Sequence, residues 1–146
     1  MTGVAVRSAR LGDADQLARL FDQLGHPQTV GALRRQLERL LADPRADVLV
    51  ADDGGALIGA TTYAFVPVAH DSGPWCRITT LVVDDAHRGR GIGRLLVAAA
   101  ESAAREAACS RIEATSAVHR SDAHRFYERL GYGRGSSHFL KRLPGP

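Results

Sequence analysis

The sequence predicts an α/β (α+β) fold: one mixed, mostly antiparallel central sheet of about six to seven strands, flanked by about four helices. Three observations carry this. Two early segments repeat apolar residues at helical spacing. Three extended apolar segments then follow one another, the first two joined by Asp53-Gly54-Gly55, a sequence suited to a hairpin turn. After them the pattern becomes strand, helix, strand, as a crossover connection requires.

Taken in order, Val4–Ala9 reads as a short opening strand. Asp13 precedes Leu17, Leu20, Phe21 and Leu24, an apolar stripe at helical spacing that Gly25 and Pro27 end. A second helix is expected from about Val30 to Leu41, with Leu33, Leu37, Leu40 and Leu41 on one face and Asp43-Pro44 as its stop. Asp47–Asp52 and Ala56–Val66 form the hairpin strands. After a loop at His70–Pro74, Trp75–Val83 is an apolar strand, and Asp84–Gly93 is polar and glycine-rich. A helix from about Ile92 to Ala108 is expected to bury Leu95, Leu96, Ala99 and Ala103. Arg111–Ser116 reads as a strand and Asp122–Leu130 as a helix ended by Gly131. The tail His138–Leu143 alternates like a final strand, and Pro144-Gly-Pro frays.

With 146 residues, 45% of them hydrophobic and 24% charged, the chain suits a single domain, 1–146, with one core. It holds no apolar run of the roughly 20 residues a membrane span needs. Its first residues lack a basic start followed by an apolar run, so no secretory leader is expected and the cytoplasm is the expected location. Cys76 and Cys109 are too few for a disulfide framework or a metal site and fit in or near the core. The histidines show no ligand spacing with cysteine or one another, so no metal is expected. The net charge of +3 and the sequence pI of about 9.3 raise nucleic-acid binding as a reading. The basic residues are dispersed except at Arg88–Arg94, and no aromatic stacking platform accompanies them, so nucleic acid is not the expected partner.

The most informative stretch runs from Thr80 to Leu96. A strand is followed by Gly89, Gly91 and Gly93 at alternate positions, and then by a helix. Such a turn aims several backbone N–H groups, with the positive end of the helix dipole behind them, at one anion. Glycine is needed where a side chain would hold phosphate off the backbone. The stretch lacks the Gly-Lys-Ser/Thr of a Walker loop, and its G-x-G-x-G spacing differs from the dinucleotide fingerprint.

Arg88-Gly89-Arg90-Gly91-Ile92-Gly93 resembles the signature of the GNAT superfamily of N-acetyltransferases, Gln/Arg-x-x-Gly-x-Gly/Ala at the start of the helix after the fourth strand. Asp122–Tyr132 is similar to a second family block, A-x-x-F/L-Y-x-x-x-G-F/Y. The two lie in the family's order, with a strand between them. The N-terminal third matches in architecture only. The resemblance implies that the fourth and fifth strands splay apart and that acetyl-CoA is the cosubstrate. Its pantetheine arm would pair with the backbone of Leu81, Val82 and Val83 near a bulge. Its pyrophosphate would meet the N–H groups of Gly89, Arg90, Gly91, Ile92, Gly93 and Arg94, with Arg88 or Arg90 as a charge contact. The resemblance also makes Tyr127 the general acid that protonates the departing thiolate, and an N–H near Leu81–Val83 the oxyanion donor.

Two positions depart from the family pattern. Thr79 occupies the slot where many relatives carry a glutamate base, leaving ordered water, Glu113, His70 or Asp71 for that role. Arg120, preceded by His119, stands where many relatives carry a CoA-binding asparagine, and Ser121 or Asp122 is expected to cap the next helix. The implied activity is acetyl transfer to a primary amine, of a small molecule or a protein, by direct attack in a ternary complex. A non-catalytic acyl-CoA-binding regulatory domain is the alternative. No membrane partner is expected, and a homodimer stays open.

Overall fold

The computed structural model describes residues 3–115, 121–135 and 138–145. It divides into two compact units, 1–115 and 116–146. The first holds one five-stranded sheet: β1 (Val4–Ser8), β2 (Ala46–Asp53), β3 (Ala56–Val66), β4 (Trp75–Val83) and β5 (Arg111–Ala114), neighbours in that order. The first four are antiparallel, and β5 runs parallel to β4 after a crossover through α3 (Ile92–Glu106). With α1 (Ala14–Leu24), α2 (Val30–Ala42) and α4 (Ser121–Arg129), the described residues form four α-helices and five strands. The expected six to seven strands are therefore not met. His138–Leu143 alternates as expected but forms no strand, and Phe139 is 99% exposed. Alternation sets which residues share a face, whereas a strand also needs an edge to pair with, and the tail's own sequence does not supply one.

The helices follow their stripes. Leu17, Leu20 and Phe21 of α1 and Leu33 and Leu37 of α2 enter one core with Val48, Val50, Leu57 and Val82. Gly25 closes α1 in the left-handed region at φ 96°, where its N–H reaches back to the Asp22 carbonyl. Thr29 caps α2 by accepting from the Ala32 N–H at 3.1 Å. Asp13 serves differently: its carboxylate takes two bonds from Arg7, at 2.8 and 3.1 Å, and one from the Arg10 N–H, tying β1 to the turn before α1.

On the other side of the sheet, α3 buries Ile92, Leu96, Val97, Ala100 and Ala104, while Leu95 is exposed. The buried stripe is thus rotated by about one residue from the expected one. Its contact point is Gly59 on β3: a Cβ there would lie 3.0 Å from Ile92 and 3.1 Å from Leu96, so the first turn of α3 sits directly on bare backbone.

Two register shifts shape the sheet. On β3, Asp52 pairs with Leu57 and Ala51 with Gly59, so Ile58 is the extra residue. On β4, Thr62 pairs with Thr80 and Tyr63 with Ile78, so Thr79 is the extra residue.

Candidate active site

At Thr79 the two edges of β4 diverge in fate. Its pairing with β5 runs from Trp75↔Arg111 to Ile78↔Ala114 and ends there, with a last contact from the Thr115 N–H to the Ile78 carbonyl at 3.4 Å. Its pairing with β3 continues to Gly59↔Val83. The Thr79–Val83 edge away from β3 therefore faces no strand among the described residues. Threonine hydroxyls bind the bulge: Thr80 Oγ1 donates to Thr62 Oγ1 at 2.7 Å, Thr61 Oγ1 to the Thr80 carbonyl at 2.8 Å, and Thr79 Oγ1 to the Thr62 carbonyl at 3.3 Å.

From Val83 the chain enters a 3-10 turn, Asp85–His87, and reaches two left-handed glycines, Gly89 at φ 78° and Gly91 at φ 81°. Gly91 is the N-cap of α3 and brings no side chain to the first-turn N–H groups. Those groups have no partner within the helix, and the helix dipole adds positive potential in front of them. Gly89, Arg90, Gly91 and Arg94 are exposed, while Ile92 and Gly93 are buried against the sheet. Arg88 pairs with Asp85 at 3.0 Å.

Asp84 organises the start of this loop. Its carboxylate accepts from Gln23 Nε2 at 2.8 Å and Arg19 NH1 at 3.0 Å and meets His87 Nδ1 at 2.7 Å. The Gln23 amide, His87 and Arg19 hold its carboxyl well below the usual range, at about 2. Among the described residues, β4 thus runs with one edge facing no strand through a glycine turn into the N-terminus of α3.

The sequence profile of the Acetyltransferase (GNAT) family matches residues 15–132. The chain belongs to this family. It is 32% identical over 139 residues to an aminoalkylphosphonate N-acetyltransferase of Salmonella typhimurium, covering 94% of this chain and 90% of that one. A structure described as a transcriptional regulator from Bacillus halodurans superposes with a TM-score of 0.88 at 26% identity, over 96% of this chain and 99% of that one. An aminoglycoside N-acetyltransferase in complex with CoA shares the fold, with a TM-score of 0.85 at 17% identity over 96% and 94% of the two chains. N-acetyltransferase homologues and the family match make this chain a GNAT acetyltransferase, and the family's cosubstrate is acetyl-CoA.

In this GNAT acetyltransferase, Leu81, Val82 and Val83 lie on the stretch of β4 that pairs with β3 beyond the end of its pairing with β5, and Arg88–Arg94 spans the turn into α3, all within the first unit. Tyr127 belongs to the second, on α4. It is half-buried, with edge contacts to Phe126 at 5.1 Å and Tyr132 at 5.5 Å, and burial pushes its phenol up to about 12. His119 and Arg120 lie outside the described residues. Asp122 pairs with Arg125 at 2.6 Å.

The base candidates differ in their surroundings. Glu113 is held by two arginines, Arg77 at 2.7 Å and Arg111 at 3.3 Å. Asp71 accepts from Trp75 Nε1 at 2.9 Å and from the Ser72 N–H, which lower its carboxyl below the ordinary value. His70 is exposed and meets the edge of Trp75 at 5.2 Å. Among the described residues no group of three or more histidine, cysteine or acidic side chains comes together as a metal site. No helix among them is long and apolar enough to cross a membrane.

Sequence reasoning missed Gly59, Gln23 and Arg19, which seat and anchor the loop. Gly59 carried a readable signal, a lone glycine inside a strand pattern, which often marks a bulge or close backbone approach. Gln23 and Arg19 carried none, since polar residues four apart on a helix ordinarily face solvent.

Proposed function

We propose that the protein transfers an acetyl group from acetyl-CoA to a primary amine by direct attack in a ternary complex. The observation that carries this is the Thr79 bulge, where β5 stops pairing and β4 continues toward the glycine turn paired with β3 alone. The pantetheine arm runs along the backbone of Leu81–Val83. The pyrophosphate takes the N–H groups of Gly89–Arg94, with Arg88 or Arg90 adding charge. The two units act as one N-acetyltransferase domain, a reading supported by a family match that crosses their boundary.

Chemically, the amine must be unprotonated to offer a lone pair. Its nitrogen bonds to the thioester carbonyl carbon, the oxyanion is met by an N–H near Leu81–Val83, and the C–S bond then breaks. Tyr127, protonated at neutral pH, gives its proton to the thiolate. Water removes the amine proton, because Thr79 cannot act as a base and the Glu113 carboxylate is engaged by Arg77 and Arg111. The acceptor is a small primary amine, and the Salmonella relative supports aminoalkylphosphonates as the first to assay.

A panel of amines, aminoalkylphosphonates and aminoglycosides among them, is incubated with acetyl-CoA and the freed CoA thiol is measured. Amine-dependent thiol release is expected. Binding of acetyl-CoA with no release across the panel would refute transfer and leave an acyl-CoA-binding regulatory domain.

A further inference from the structure

Gln23 sits in the last turn of α1 and grips the start of the glycine loop at two points. Its Nε2 donates to Asp84 Oδ1 at 2.8 Å, and its Oε1 accepts from the Asp85 N–H at 2.9 Å. The amide cannot be turned over, because a carboxylate needs a donor and a backbone N–H needs an acceptor. One turn earlier on the same face, Arg19 donates to Asp84 Oδ1 at 3.0 Å and to the Leu57 carbonyl of β3 at 3.1 Å. The extra residue of β3, Ile58, offers its carbonyl to the Asp84 N–H at 2.9 Å. The His87 N–H closes the turn on the Asp84 carbonyl at 2.8 Å. The first residues of the loop are thus held from α1 and from β3, within the first unit.

This network places a carboxylate five residues before Gly89, in a loop read as binding an anion. Electrostatics alone would select against it. Asp84 is nevertheless only 14% exposed in its side chain, with the Arg19 guanidinium offsetting its charge. Its value must then lie in geometry. A loop whose N–H groups have to converge on one ligand gains affinity when its backbone is fixed beforehand.

We propose that Gln23, acting through Asp84 and the Asp85 N–H, is a positioning residue for acetyl-CoA. It couples the C-terminal turn of α1 to the pyrophosphate loop. The inference rests on the reading that Gly89–Arg94 binds the pyrophosphate. By linkage, a clamp that favours the cosubstrate must in turn be stabilised by it.

The test is isothermal titration of acetyl-CoA into the wild type, Gln23→Glu, Asp84→Asn, the double variant Gln23→Glu/Asp84→Asn, and Gly91→Glu. Each single clamp variant is expected to weaken binding about tenfold, the scale of one lost hydrogen bond to a charged group. The double variant exchanges the two groups. The amide now on the loop donates to the carboxylate now on α1, that carboxylate still accepts from the Asp85 N–H, and the net charge equals that of the wild type. The amide nitrogen now at the Oδ1 position no longer accepts from Arg19 NH1, so binding should recover part of the way and exceed that of either single variant. Wild-type affinity in both single variants, with binding lost in Gly91→Glu, would overturn the clamp and leave the loop assignment standing. A double variant as weak as the worse single would also overturn it. Binding retained in Gly91→Glu would overturn the loop reading, and the clamp with it. Hydrogen exchange on the wild type needs no variant to fold: acetyl-CoA should slow exchange in residues 21–26 as well as 84–94, and protection confined to 84–94 would refute the coupling.

Discussion

Gly59 is the position where the fold and the candidate site are most directly joined, and Gly59→Ala tests that junction. Its backbone lies outside the left-handed region, so the demand for glycine there is one of space. A Cβ would stand 3.0 Å from Ile92 Cγ2, 3.1 Å from Leu96 Cδ1 and 3.1 Å from the Val82 carbonyl oxygen. The two side-chain atoms can yield by a few tenths of an ångström, but the carbonyl belongs to the β4 backbone and cannot rotate away. The first turn of α3 must therefore lift. Overpacking typically costs ~1–3 kcal/mol, and removing glycine's freedom from the unfolded chain returns ~0.4–1 kcal/mol, leaving a net loss of ~1–2 kcal/mol. At ~2–4 °C per kcal/mol for a chain of this size, the melting temperature should fall by roughly 2–8 °C. Because the lifted turn carries the N–H groups assigned to pyrophosphate, acetyl-CoA binding should weaken by ~3- to 10-fold, equivalent to roughly a kcal/mol. Urea unfolding and calorimetric titration measure the two effects separately. A variant as stable as the wild type that binds acetyl-CoA equally well would refute the seating of α3 on Gly59.

Gly91→Glu should abolish the acetyl-CoA-induced rise in melting temperature, because an anion and a side chain would enter a turn held at φ 81°; an unchanged shift would show the loop assignment to be wrong. Glu113→Gln and His70→Ala should each lower turnover only modestly, and a loss beyond ~10³-fold in a folded variant would identify that residue as the general base. Asp84 has a folded carboxyl depressed from 3.8 to about 2, so it binds its proton less readily when folded. Its contribution to stability is complete above about pH 4 and is lost as pH falls toward 2. Urea midpoints followed from pH 6 to pH 2 should therefore fall more steeply for the wild type than for Asp84→Asn, and parallel curves would contradict the depressed value.

The sequence is most legible where turn chemistry is local. Asp53-Gly54-Gly55 predicts the hairpin, both glycines adopt positive φ, and β3 and β4 begin and end where the sequence reading puts them. The glycine loop is legible for the same reason, since Gly89 and Gly91 take the left-handed geometry that glycine permits. What escapes depends on distant partners. Leu95 and Leu96 are equally apolar, and only the docking of α3 on Gly59 decides that Leu96 is buried and Leu95 exposed. Gln23 and Asp84 are 61 residues apart, and no local pattern announces their bond. Thr79 stands out in the sequence for its chemistry, while its structural part as the bulge emerges only from the register.

Tyr127 offers the sharpest test of the proposed chemistry. Burial raises its phenol to about 12, so at pH 7 the ionised fraction is only ~1 in 10⁵ and the hydroxyl is available as a donor. Tyr127→Phe removes that donor and keeps the ring that packs on Phe126 and Tyr132. If the hydroxyl protonates the departing thiolate, kcat should fall while acetyl-CoA affinity stays near that of the wild type. General acid catalysis is typically worth ~10²–10⁴-fold, and the fairly low pKa of the CoA thiol places the expected loss toward the lower end. The same burial supplies a structural control. A group whose folded pKa is raised above its unfolded value of about 10 contributes stability that is complete below pH 10 and lost as pH rises toward 12. Tyr127→Phe should therefore flatten the alkaline limb of the stability profile whether or not the residue is catalytic, and that flattening reports that the wild-type phenol is buried in the folded chain. A variant that shows it, binds acetyl-CoA normally and turns over a good amine at the wild-type rate would exclude Tyr127 as the acid, and the thiolate would then leave unaided.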